Sequence, residues 1–223
     1  MTAIRDLAEA IDLAVVLSDE LLVRGGPRGQ PASDLRRAVA RFQASLEAGF
    51  RQQTLGPTLA GLFDAALAAG VPATSFRAVR VAATESLANG TLAIWTRRSF
   101  RRQALIAEAR RLAGVTFTDR DAVDAARSGL ITAFDELLDD ASQVQEFGVM
   151  RALTALFTAV QRHLSQTALP LPRLVDYATP ASLPALVLAH RLYADASRHD
   201  ELARGNRVQH PLFMPTSGRA LAA

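Results

Sequence analysis

With 223 residues, 49% of them hydrophobic, the chain is long enough to bury a core in one large domain or two small ones, which excludes disorder over its whole length. All 25 basic residues are arginine, and the 22 acidic residues reduce the net charge to +3, too little for a whole-molecule field to dictate nucleic-acid binding. The chain has no cysteine, which excludes disulfides, thiolate metal sites and cysteine nucleophiles.

At the N-terminus Arg5, Asp6, Glu9 and Asp12 interrupt the apolar residues, which a secretory leader would not tolerate. No run of about 18 uncharged apolar residues occurs elsewhere, so a soluble, non-exported protein is expected. Strand signals are nearly absent, because β-branched residues are scattered and no alternating run is bounded by hairpin turns. Alanine, leucine and arginine, all good helix formers, dominate. The expected fold is an all-α antiparallel helical bundle with an extended C-terminal arm.

The first helix is expected over residues 2–23, with Ile4, Leu7, Ile11, Ala14, Val15 and Leu22 on its apolar face. Three glycines and two prolines in residues 24–31 then mark the clearest loop. Ser33 and Asp34 offer an N-cap for a second helix reaching Phe50, with Leu35, Val39, Phe42 and Leu46 inward. Pro57 suits the first turn of a third helix that ends near Gly70, and Val71-Pro72 forces an extended step.

Thr74 opens a long helical pattern to about Leu112, with a cap and restart or a tolerated flaw at Asn89-Gly90. Thr118-Asp-Arg-Asp121 reads as the capped, acidic start of a helix to about Ala141, with Val123, Ala126, Leu130, Phe134 and Leu137 inward. Another helix spans residues 148–165, with Leu153, Leu156, Phe157, Val160 and Leu164 inward. The prolines of residues 169–180 rule out regular helix there and predict an extended connector. A last helix is expected from Ser182, its cap, to about Arg204, with Pro184 in the first turn. The expected organisation is N-terminal helices over 1–70, a bundle over 71–205 and an arm over 206–223.

Arg97, Arg98, Arg101, Arg102, Arg110 and Arg111 crowd one predicted helix, and the pairs 97/101 and 98/102 fall on one face. Such a face suits phosphate groups. It also suits an acidic partner, and the next helix supplies Asp135, Glu136, Asp139, Asp140 and then Glu146. Complementary blocks so close in sequence favour pairing within or between subunits, for which the planar fork of arginine is well made. Trp95 and Phe100, beside the block, read as core aromatics.

The acidic run lacks a Glu-x-x-His motif, so it reads as a solvated face and not a metal site. No two of His163, His190, His199 and His210 share the spacing of a helical metal pair. No nucleophile elbow, phosphate loop or dinucleotide fingerprint is present. No catalytic residue, cofactor site or metal site is therefore expected, and the chain reads as a non-enzyme.

The C-terminal segment is more specific. Leu183-Pro-Ala-Leu-Val-Leu-Ala-His-Arg-Leu-Tyr193 is followed by Asn206-Arg-Val-Gln-His-Pro-Leu-Phe-Met-Pro215. This pair of motifs resembles the C-terminal end of the DNA circularisation proteins of Mu-type tailed phages, most closely at Asn206, Arg207, His210, Pro211, Phe213 and Pro215. Weaker similarity runs upstream through residues 117–125 and 169–174 to about residue 75. The chain departs from the family at Gly205, where arginine is usual, and at Leu212, where glycine is usual. The additional N-terminal domain of fuller-length relatives is not recognisable in this sequence.

The resemblance implies a virion protein of the tail or baseplate, synthesised in the host cytoplasm. It would contact hub and tail-tube proteins through the six matched residues and form a ring-symmetric homo-oligomer, with no membrane contact. The alternative is a DNA-binding or DNA-circularising protein that meets phosphate through Arg97, Arg98, Arg101 and Arg102. The arm itself either docks on a partner or tucks against its own chain, with Leu212, Phe213 and Met214 supplying the buried area.

Overall fold

The computed structural model describes residues 2–23 and 28–222. Nine α-helices and one two-stranded antiparallel ribbon are present among them, so the all-α expectation holds. Packing divides the chain into two compact units, one of residues 1–115 with 130–160, the other of residues 116–129 with 161–223.

The first unit holds α1 (Thr2–Val23), α2 (Gln30–Arg51), α3 (Leu55–Ala68), α4 (Ala73–Glu85) and α5 (Thr91–Ala113). It also takes the later turns of α6 (Arg120–Gln143) and most of α7 (Phe147–Ala168). Its core is centred on four buried phenylalanines. The Phe100 ring meets those of Phe42 and Phe63 edge-on at 6.0 and 6.1 Å, and Phe63 lies 6.0 Å from Phe76. Such edge contacts match the positive rim of one ring to the negative face of another. Phe134 and Phe157 pair at 5.2 Å.

One core runs from Ala10 to Ala107, so the boundary expected at residue 70 does not divide the packing. The reason is α1, which packs on α4 and α5 as well as on α2.

The buried face of α1 also differs from expectation. Ala10, Leu13, Ala14, Leu17 and Leu21 point inward, whereas Ile4 and Leu22 are exposed. Two overlapping apolar stripes exist on this helix, and the buried one continues at helical spacing to Asp6, whose carboxylate has a structural task described below. Helix α2 starts earlier than expected. Gly29, not Ser33 or Asp34, is its N-cap, and Pro31 sits in the first turn where its missing N–H costs nothing. Residues 24–27 of the expected loop lie outside the described residues. The long pattern from residue 74 is two helices, α4 and α5, separated by the link 86–90.

The second unit joins the first turns of α6 and the last of α7 to β1 (Leu174–Ala178), α8 (Ala185–Tyr193), α9 (His199–Gly205) and β2 (Ser217–Leu221). Asp119 caps α6 by accepting from the Ala122 N–H at 2.8 Å. Asp121 accepts from the Leu174 N–H at 2.8 Å, and the Arg120 N–H donates to the Pro172 carbonyl at 2.9 Å. These bonds anchor the connector to the start of α6. The strands pair from Leu174 with Leu221 to Ala178 with Ser217. Tyr177, Leu188, Ala189, Leu202, Met214 and Ala220 form the centre of this unit.

The second unit departs from four expectations. Part of the connector at 169–180 is strand, because β2 returns to satisfy its backbone groups. The single final helix is broken at Ala194, which adopts φ 55°, and a short 3₁₀ turn at Ala196–Arg198 leads into α9. Asp195 stabilises that turn by accepting from the Ser197 N–H at 2.9 Å and its hydroxyl at 2.7 Å, and these bonds hold its carboxyl below the usual value. Finally, Pro184 and not Ser182 precedes α8, and the arm, whose residues 217–221 form the extended strand β2, is folded home on its own unit.

Candidate functional site

The arginine face of α5 meets acidic residues of its own chain. Arg98 bonds Asp140 at 3.1 Å, Arg102 pairs with Glu146 and with Asp140 at 3.9 Å, and Arg101 lies 3.8 Å from Glu136. Arg97 donates to the Ser86 carbonyl at 3.1 Å. Side-chain exposure is only 13% for Arg101 and 17% for Arg102, and burial lowers the Arg101 pKa despite the attraction of Asp140 and Glu136. Arg110 reaches Asp64 at the surface. Of the two uses read for this face, acidic pairing within the chain is the one the structure displays. It withdraws the charge that tracking of phosphates requires.

Behind this face lies Glu108, fully buried. Its Oε1 accepts from Arg77 at 3.0 Å and its Oε2 lies 3.6 Å from Arg80, which in turn lies 3.5 Å from Glu136. The buried carboxylate thus has two cations around it, as a charge withdrawn from water must.

A second charged arrangement was not legible as such in the sequence. Glu9 of α1 accepts from the N–H groups of Asn89 and Gly90 at 3.0 Å each, and Asp6 accepts from Leu92 at 3.2 Å. Two carboxylates therefore cap α5 from another helix, satisfying its open amides and complementing its dipole. Gly90 allows the approach, because a Cβ there would stand 2.7 Å from Glu9 Oε2 and closer still to Asp6. The available signal was a pair of acids on the apolar stripe of α1.

The six matched residues of the C-terminal motif divide between two tasks. Asn206 locks the fold: its amide donates to the carbonyls of Leu202 and Arg219, and its oxygen accepts from the Arg219 N–H, all at 2.8 Å. Gly218 must be glycine for this, since a Cβ would lie 2.7 Å from the Tyr177 hydroxyl and closer to Asn206. Arg207 turns the chain at φ 53°. The Pro211 carbonyl accepts from Ala185 at 2.7 Å, and the Pro215 carbonyl from the Tyr177 hydroxyl at 3.5 Å.

Met214 is 1% exposed and its N–H donates to Leu183 at 3.0 Å, so the tucked arrangement is the one found. Leu212 and Phe213, however, are 54% and 69% exposed. His210 supports this tip: its ring lies 5.6 Å from that of Phe213 and its carbonyl accepts from the Phe213 N–H at 3.0 Å. Elsewhere in this unit, Arg198 bonds Glu201, which raises its pKa, and stacks over the Tyr193 ring at 3.9 Å.

The first unit carries several clefts, among them the following two. One of about 270 Å³ is lined by Phe50, Leu55, Leu92 and Trp95. Trp95 is 44% exposed, so it is not the core residue expected, whereas Phe100 is. The other, about 830 Å³, lies between α1 and the link 86–90. Among the described residues no group of three His, Asp or Glu side chains is placed to hold a metal ion, and no helix is long and apolar enough to cross a membrane.

No protein-family model matches the sequence, and no curated protein matches it.

Proposed function

We propose that this chain is a structural component of the tail of a phage or phage-like particle, in the baseplate hub or tube-proximal region, working through protein–protein contacts. The observation that carries this is the C-terminal motif. Its residues resemble the end of the Mu-type family, and they fold into a fixed base that leaves Phe213 and Leu212 in solvent. A large apolar pair held on an ordered turn is suited to burial by a partner at low entropic cost. The engagement of Arg98, Arg101 and Arg102 by carboxylates also favours assembly over DNA binding.

Mass spectrometry of purified particles is the test. The chain should be present at fixed stoichiometry with the tail proteins and should stay with isolated tails. Its absence from intact particles would refute the assignment.

A further inference from the structure

We propose that the tip formed by Leu212 and Phe213 of one copy docks into the groove between α1 and the link 86–90 of a second copy. The groove has about 830 Å³ of space, room for both side chains. Its walls include Val16, 58% exposed, and Leu87, 89% exposed, above a floor formed by Leu13 and Leu17. Apolar side chains so exposed around a concavity are what a docked partner would cover.

Charge selects the occupant. Glu9, Asp12 and Glu85 stand at the groove against the single cation Arg5. The tip belongs to a segment, 206–215, that contains Arg207 and His210 and no acidic residue. Arg204, in the last turn of α9 just before it, adds a further cation, while the acids of that helix, Asp200 and Glu201, lie in its first turn, where Glu201 is paired with Arg198. A basic segment with an apolar apex therefore meets an acidic rim with an apolar floor, the complementarity that steers and orients association. The cleft at Trp95 has no charged lining residue and offers no such match. The tip is also pre-formed, because hydrogen bonds from the Phe213 and Met214 N–H groups fix its turn.

Tip and groove are different surfaces, so the contact is head-to-tail, and an open chain of copies keeps one unused tip at one end and one unused groove at the other until a ring closes. The inference rests on the assembly function proposed above and names its partner.

Sedimentation of the purified full chain tests it. The wild type should associate as concentration rises, and less at high salt. Phe213→Ala, or Val16→Ser with Leu87→Ser, should weaken association by about thirtyfold or more. Trp95→Ala should not change it. Circular dichroism should show all variants folded, since each altered side chain is substantially exposed. Mixing the Phe213→Ala chain with the Val16→Ser/Leu87→Ser chain should restore one intact contact and give a one-to-one pair that grows no further. A wild type that stays monomeric, a tip or groove variant that associates normally, or a mixture that fails to pair would each overturn the docking. Detection of the chain in particles would still stand in those cases, so the two proposals fail separately.

Discussion

Two adjacent residues of the arm should respond very unequally to truncation. Met214 is 1% exposed within the second unit, against Tyr177, Leu188, Leu202 and their neighbours. Met214→Ala removes buried methylenes and leaves a cavity that the surrounding backbone, pinned by Asn206 and the β1–β2 ladder, cannot easily close. Large-to-small changes of this kind cost about 2–5 kcal/mol. Phe213 is 69% exposed, so only about a third of a Phe burial term of roughly 1.5–3 kcal/mol is at stake, at most about 1 kcal/mol. Urea unfolding of both variants measures the difference. Hydrogen exchange at the β2 amides places it in the second unit. A Phe213→Ala variant less stable than Met214→Ala would refute the tucked arm.

Glu108→Ala leaves Arg80 buried beside no near carboxylate except Glu136, and should cost about 3–5 kcal/mol in chemical denaturation. The double variant Arg80→Leu/Glu108→Leu should lose clearly less than the sum of its single changes. Gly90→Ala drives a Cβ into Asp6 and Glu9 and should cost about 1–3 kcal/mol by loss of the α5 cap, with faster exchange at the amides of Asn89 and Leu92. Burial raises the phenols of Tyr177 and Tyr193 above the ordinary value near 10. The unfolded chain therefore releases these protons first, so the contribution to stability is intact below about pH 10 and is lost as pH rises through the folded values. Tyr177→Phe should flatten that alkaline decline.

Helix existence was legible wherever period and breakers agreed. The inward residues of α2 and nearly all those expected in α6 and α7 are buried or half-buried where the pattern placed them, because one stripe on each helix was clearly the most apolar. On α1 two stripes competed, and the choice was made by a distant helix end that needed carboxylates. Asp6 and Glu9 thus carried a meaning that local sequence could not express. The ribbon was hidden for a similar reason. Leu174-Val-Asp-Tyr-Ala and Ser217-Gly-Arg-Ala-Leu are short, lie far apart in sequence and have no hairpin turn between them, and each becomes a strand only by meeting the other.

At the candidate site, the proximity of basic and acidic blocks did foretell their pairing. The arm was harder to place. Its prolines suggested stiffness, but its fold depends on three hydrogen bonds of Asn206 and on a close approach at Gly218, neither of which leaves a pattern in a single sequence. The break at Ala194 had one signal, the Asp195-x-Ser197 spacing that closes the following turn.

Helices α6 and α7 are each continuous, yet the division between the units falls within both of them. Neither unit is therefore a modular cassette. A piece cut at residue 115 would strip Arg98 of Asp140, and Arg102 of Asp140 and Glu146. Recombination could exchange neither half of this molecule intact, and an alteration to the inner turns of either helix would be inherited by both units at once.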